Sequence, residues 1–267
     1  MTAAAVEADT FTHKYVRALD RRVHRLGIAA SYGIPEAGVR KAFDLGVQYV
    51  FWNPFARAVT KVLKSLAPGQ REKLVIATGP TLGFTGGSVR ARAEKALKLL
   101  KTDYLDVFQL FWLGKTSAWT AATERELVHL KESGKVRVLG VSIHDRVRAG
   151  QMALDSPLDL FMIRYNAAHP GAERDIFPHL AKRQPAVVAY TATDWRKLLK
   201  RPSGWKGNVP TAGDCYRFCL SNAHVDVVLT GPKTTAQFDD NLAALEKGPL
   251  SAAELEELRA LGKVVHG

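Results

Sequence analysis

The sequence predicts an α/β fold, a (β/α)8 TIM barrel with an extra C-terminal helix, and three observations carry that prediction. Eight short apolar runs rich in β-branched and aromatic residues recur at 23–30, 49–52, 74–78, 104–112, 138–142, 160–165, 187–190 and 225–230. Helical patterns fill the gaps between them, so parallel strands joined by crossover helices are expected. The third observation is continuity. The chain has 267 residues with no linker, repeat or low-complexity segment, which suits one barrel better than an open doubly wound sheet. No G-x-G-x-x-G follows the first strand, which argues further against the open sheet.

Taken in order, residues 1–14 read as a loosely ordered tail and 15–267 as a single barrel. Pro35 opens the first helix, with Val39, Ala42 and Phe43 turned inward, and 59–63 begins the second. A Gly-rich turn at 81–87 follows the third strand. Ser88 is expected to cap a long amphipathic helix that buries Ala91, Ala93, Leu97 and Leu100. A helix around 124–132 leads through Ser133-Gly134-Lys135 into the fifth strand. Further helices are expected at 172–181, 212–221 and 235–245. The pair Ser251 and Glu254 forms a capping-box pattern ahead of the last helix, 252–261.

Composition narrows the function classes. Hydrophobic residues make up 46% of the chain, yet no run approaches the length of a membrane span. The acidic start lacks a basic region followed by an apolar core, so no secretory signal is expected. Cys215 and Cys219 stand four apart in a helical pattern and suggest no disulfide framework, which makes a reducing cytoplasm the expected location. They and His224 are too irregularly spaced for a metal site, and no H-E-x-x-H or C-x-x-C occurs. The formal charge of +12 is spread along the chain at solvent-facing helical spacings. That points to a solvated surface or to an anionic small molecule, not to nucleic acid or a membrane.

Three segments carry a resemblance. Residues 96–110, which include Thr102-Asp103-Tyr104-Leu105-Asp106, are similar to a helix–strand junction of the aldo-keto reductases. Residues 133–142, ending Gly140-Val141-Ser142, are similar to that family's fifth strand. Residues 231–242, opening Gly231-Pro232-Lys233, are similar to its nucleotide-binding end. The order and spacing hold from about Val23 to Leu261.

The resemblance implies a barrel that uses NADP(H) to reduce carbonyls, with an Asp, Tyr, Lys and His at its mouth. The Tyr would donate the proton, and the His would orient the carbonyl. Here those positions read Phe51, Ala56 (or Phe55), Gly79 and Phe111. Hydride delivery to a carbonyl would then leave an alkoxide without a proton source in a dry pocket. The cofactor positions match better. Ser142 falls where the nicotinamide carboxamide is bound, although its usual partners are replaced by Ile143 and Met162. Tyr190 falls where an aromatic ring stacks on the nicotinamide. Gly231, Lys233, Gln237, Asp240 and Asn241 fall around the adenosine and its 2′-phosphate, and the charge of Lys233 would favour NADP over NAD. The residues alone equally allow a solvated loop lysine and a packed core tyrosine.

Other groups are candidates on residue type and position. Arg164, two residues after Met162 on one strand, shares its face and lies nearer the mouth. A guanidinium there suits a carboxylate or phosphate, or else a structural ion pair with a barrel Asp or Glu. His144 and His169 follow strands five and six, as a general base or as loop and cap residues. Trp52, Phe55, Phe111, Trp112 and Trp195 lie near strand ends, to line a flat apolar pocket or to pack the core. Two functions follow. One is an NADP(H)-binding oxidoreductase of aldo-keto reductase type with a degenerate site, acting on a small-molecule substrate that needs little proton donation. The other is a pseudoenzyme, a barrel that binds a ligand or partner and turns nothing over. Oligomeric state is not legible.

Overall fold

Alternation along short strands gives each one a face for a barrel interior and a face for a helix layer. The computed structural model, which describes residues 8–80 and 86–266, closes on that principle. An antiparallel hairpin, β1 (His13–Val16) and β2 (Arg21–His24), precedes the barrel. Then follow β3 (Leu26–Ala29), α1 (Glu36–Asp44), β4 (Tyr49–Phe51), α2 (Arg57–Lys64), the single turn α3 (Pro68–Arg71), β5 (Val75–Thr78) and α4 (Gly86–Leu100). The second half runs β6 (Leu105–Leu113), α5 (Ala121–Glu132), β7 (Val136–Ile143), α6 (Arg146–Leu154), β8 (Leu160–Arg164), α7 (Ala172–Asp175), β9 (Ala186–Tyr190), α8 (Ala212–Leu220), β10 (Val227–Thr230), α9 (Thr235–Leu245) and α10 (Ala252–His266). Strands β3 to β10 pair in parallel in chain order, and β10 closes on β3.

The side chains sort into two layers. Tyr49, Val75, Val107, Leu160, Met162 and Val188 belong to the cluster inside the barrel. Leu26, Ile28, Val50, Trp52, Ile76 and Phe108 belong to the larger cluster between strands and helices. The hairpin contributes Val16 and Val23 to the inner cluster, with Ala18 and Leu19 packed against it, so it stoppers the N-terminal end. Arg25, at the hairpin's exit, is 6% exposed. Its guanidinium donates to the carbonyls of Phe11, Leu220, Val225 and Asp226.

A repeated device ties the same end. At the starts of β6, β8 and β10 a carboxylate accepts a backbone N–H from the strand before it, and Gln48, ahead of β4, accepts one from the hairpin. Gln48 Oε1 accepts from His24 at 2.9 Å, Asp106 from Ile76 at 2.9 Å, Asp159 from Leu139 at 3.0 Å and Asp226 from Val187 at 2.7 Å. The three carboxylates are each also paired with a cation: Asp106 with Arg71 at 2.8 Å, Asp159 with Lys131 at 2.6 Å and Asp226 with Lys14 at 2.7 Å.

Five local expectations change. The tail ends before residue 14, because His13 and Lys14 already pair with His24 and Val23 in the hairpin; residues 1–7 lie outside the described residues. Helix α4 begins at Gly86, so Ser88 stands in its first turn and is not its cap; most of the expected turn, 81–85, is outside the described residues. The buried stripe of α4 is Val89, Ala93, Ala96 and Leu100, while Ala91 faces solvent. The expected helix 172–181 is one turn of α-helix followed by a 3-10 turn, Phe177–His179. Pro178 has no N–H to continue the α pattern. The last helix runs past 261 to His266, and its capping box forms: Ser251 N–H donates to Glu254 at 2.7 Å, and Glu254 N–H to Ser251 Oγ at 3.3 Å.

Candidate active site

Strand alternation decides what reaches the C-terminal mouth. The inward positions there are Phe51 at the end of β4, Gly79 just past β5, and Gln109 and Phe111 on β6. Ser142 on β7 and His144 just past it follow, then Met162 and Arg164 on β8, and Tyr190 on β9. Phe51 and Phe111 stack across the gap left by Gly79, with centroids 5.9 Å apart and planes 10° from parallel. Phe111 stacks in turn on Trp112 at 5.1 Å. Trp112 has a left-handed backbone, φ 47°, where the β6–β7 register slips between Leu110 and Leu113. Such a conformation is strained for a bulky residue, and here it accompanies the turn of the indole onto the neighbouring ring. His144 lies 6.2 Å from Trp112 and 6.0 Å edge-on from Tyr190. Phe51, Phe111, Trp112, His144 and Tyr190 thus form a continuous arc of rings.

Gly79 is a close approach. A Cβ built there would stand 1.8 Å from the carbonyl oxygen of Gln109, so this backbone admits no side chain at the position. Gln109 donates its amide N–H to Met162 Sδ at 3.0 Å. Its Oε1 is buried with no partner among the described residues, and the buried Ser142 Oγ has only the neighbouring Tyr190 phenol, whose rise in pKa it opposes. The Tyr190 hydroxyl sits 3.0 Å from His144 Nε2.

Arg164 is half-buried and makes no hydrogen bond or ion pair with any described residue, so the alternative of a structural pair with a barrel carboxylate is not what is found. It acts electrostatically on His144, His169 and Tyr190. Burial, and then the Arg164 charge, hold both histidines below the ordinary imidazole pKa; Lys115 adds to this at His144, and Asp194 opposes it at His169. Burial pushes the Tyr190 phenol up to about 12, against the pull of Arg164. His169 is 3.3 Å from Asp194 and edge-on to His266 of α10 at 4.6 Å. Its loop is pinned by Asn166, which accepts the His169 N–H and donates to the Thr191 carbonyl.

Of the expected pocket residues, Phe111, Trp112 and Arg164 meet at the mouth. Trp52 does not. With Phe51 inside, Trp52 points outward into the helix layer, 1% exposed, and its indole N–H donates to Thr60 Oγ1 at 2.8 Å. Phe55, 85% exposed, and Trp195, 59% exposed, stand out in solvent on turns after β4 and β9 and share no ring contact with the arc. Ala56 is buried at the start of α2.

The residues expected around a nucleotide divide similarly. Tyr32 lies flat over Gly231, so close that a Cβ on Gly231 would meet its ring at 2.5 Å. Lys233 and Asp240 are exposed. Gln237 accepts the Lys233 N–H at 2.8 Å, and Asn241 donates to Thr230 Oγ1 at 3.0 Å; both make local structure.

Sequence reasoning missed Gln109, Tyr32 and a left-handed turn at Asp194, Trp195 and Arg196, with φ 45°, 54° and 71°. Gln109 was findable: it is a lone amide in an apolar strand, two residues before Phe111. The turn had no signal, since none of its residues is glycine. A cavity of about 190 Å³ lies elsewhere, between α8, α10 and the loop through Asn208.

Comparison with known proteins agrees with this architecture. Residues 28–201 match the aldo/keto reductase family, and the chain belongs to it. It is 29% identical to the methylglyoxal reductase YeaE of Escherichia coli over 74% of this chain and 73% of that protein. It is 25% identical to the aldo-keto reductase YhdN of Bacillus subtilis over 57% of this chain, a match spanning half of that relative's length. The fold is similar to a Klebsiella pneumoniae aldo/keto reductase solved in complex with NADP and acetate, with a TM-score of 0.76 at 20% identity, covering 94% of this chain and 95% of that one.

Proposed function

We propose that this protein is an NADP(H)-binding oxidoreductase whose mouth no longer supports ordinary carbonyl reduction. The observation that carries the second half is the row Phe51, Gly79, Phe111. At the strand ends where the family's Asp, Lys and His belong stand two stacked rings and a backbone with no room for a side chain. The first half is supported by fit. The Ser142 Oγ lies on the inner face of β7 beside the Tyr190 phenol and has capacity left to bond a carboxamide. Tyr190 offers a ring nearby, and Lys233 an exposed cation. The Klebsiella neighbour carries NADP. When bound, the nucleotide supplies a hydride.

The chain's own groups set the acceptor. Tyr190 is the phenol of the ring arc, and with its pKa pushed up to about 12 it keeps its proton at neutral pH. Its neighbour His144 is held neutral. An acceptor that needs little proton donation therefore fits best: an activated alkene, an iminium or a flavin-like ring. A cytoplasmic location belongs to the same proposal. Cys215 and Cys219 are free and buried, which suits a reducing compartment, and no described helix is long and apolar enough to cross a membrane.

A second reading, a pseudoenzyme, is favoured by the arc of rings itself, which occupies the mouth. Titration with NADPH, followed by fluorescence and thermal stability, separates the readings. Saturable binding with oxidation by any member of an acceptor panel supports the oxidoreductase. Binding without turnover favours the pseudoenzyme. No binding at millimolar NADPH or NADP overturns the cofactor half.

A further inference from the structure

We propose that Arg164 is the anchor of a subsite for a planar organic carboxylate at the barrel mouth. This rests on reading the mouth as the ligand-binding face, and it holds whether or not NADPH binds there. Three observations converge. The guanidinium is on the inner face of β8, in register with Tyr190 of β9, and half-buried. It has no hydrogen-bonding or ionic partner among the described residues, whereas the carboxylates Asp106, Asp159 and Asp226 at the opposite end of the barrel are each paired with a cation. The carboxylate near it, Asp194, is already engaged by His169 and Lys197. The groups facing Arg164 add to the positive field or are neutral: His144, His169 and Tyr190, with Lys115 beyond His144.

A half-buried cation with no counter-charge is costly to keep unless a ligand supplies one. The shape of that ligand follows from the neighbours. A guanidinium fork matches a carboxylate with two parallel hydrogen bonds. A phosphate dianion recruits further donors, typically a helix N-terminus. The N-terminus of α6, two residues after His144, is closed by its own acid, since Asp145 accepts the Arg148 N–H at 3.0 Å. On the other side of His144 lie the faces of Trp112 and Phe111, suited to the flat apolar body of an aryl or α,β-unsaturated acid. The assigned class is therefore a small conjugated carboxylate, held by its acid group at Arg164 with its unsaturated part over the ring arc.

The test uses the full chain, with cinnamate and benzoate as probes. Their neutral amides and inorganic phosphate are the comparison arms. Tryptophan fluorescence and calorimetry are the readouts, each run with and without NADPH. The acids are expected to bind about tenfold or more tighter than the amides, the worth of one charge-assisted pair, and tighter than phosphate. Arg164→Met is expected to abolish that preference, and Arg164→Lys to keep part of it, with circular dichroism confirming that both fold. Equal affinity for acid and amide, a preference that survives Arg164→Met, phosphate binding as tightly as cinnamate, or no acid binding at millimolar concentration would each overturn the assignment. The NADPH titrations keep the readings apart. Acid preference without NADPH binding sinks the oxidoreductase and leaves the subsite, and the converse sinks the subsite alone.

Discussion

Lys233 makes no ion pair among the described residues, whereas Lys41 nearby is held by Asp239 of α9. On the proposed cofactor reading, a free exposed cation of that kind would discriminate a 2′-phosphate without stabilising the fold. Lys233→Ala should weaken NADPH by several-fold to about tenfold, leave NADH affected less, and leave the melting temperature in place; equal loss for both nucleotides would contradict the role. His24 illustrates the opposite, a titratable residue with a structural consequence. It is 2% exposed, lies edge-on to His13, and accepts the Leu26 N–H at its Nδ1. Burial first, and then the His13 charge, lower its pKa to about 4. The unfolded chain therefore binds the extra proton more readily between the ordinary imidazole pKa and about 4. Stability should be full above pH 6.5 and fall as pH drops through that window, by up to about 3 kcal/mol. Urea unfolding at pH 7 and pH 5 measures the drop, and a His24→Gln variant should lose much of it. A flat profile in the native chain would count against the assignment.

At the scale of elements, the barrel strands were legible because their signals are local: period-2 apolar runs, β-branched content and the turns between them. Which face of a run points inward was not. Phe51 and Trp52 are both large and aromatic, and only closure of the ring shows that Phe51 belongs to the interior and Trp52 to the helix layer. The hairpin was hidden for a related reason, since its arginine-rich second strand reads as solvated until it is folded across the barrel's end. Asp106 shows what ties such elements. It is nearly buried, accepts the Ile76 N–H, and faces Arg71 at 2.8 Å and Arg137 at 3.6 Å. Asp106→Ala should cost roughly 3–5 kcal/mol, because it strands a donor and a poorly exposed guanidinium together. Asp106→Asn, which keeps an acceptor, should cost less. Denaturant midpoints of the two variants would decide it.

Across the whole molecule, the site was half legible. Positions carried by the strand pattern, Phe111, Ser142, Arg164 and Tyr190, reach the mouth as expected. Positions that depend on loop geometry, Phe55 and Trp195, do not join the ring arc, and Gln237 and Asn241 are engaged in local hydrogen bonds. Function on this fold is a property of strand ends. The two ends of the barrel differ accordingly: at the bottom Asp106, Asp159 and Asp226 each have a cation, and at the top Arg164 has no counter-charge paired with it among the described residues.

The carboxylates Asp106, Asp159 and Asp226 tie strands two by two, β5 with β6, β7 with β8 and β9 with β10, while Gln48 ties the start of β4 to His24 of the hairpin. The ring thereby holds three doublets, and the seams between them, β6–β7 and β8–β9, lack that carboxylate bond. Native-state hydrogen exchange should resolve that grain. The amides of Ile76, Leu139 and Val187 should open together with their doublets and more slowly than strand-start amides at the seams, and uniform exchange around the ring would show that the doublets have no independent existence.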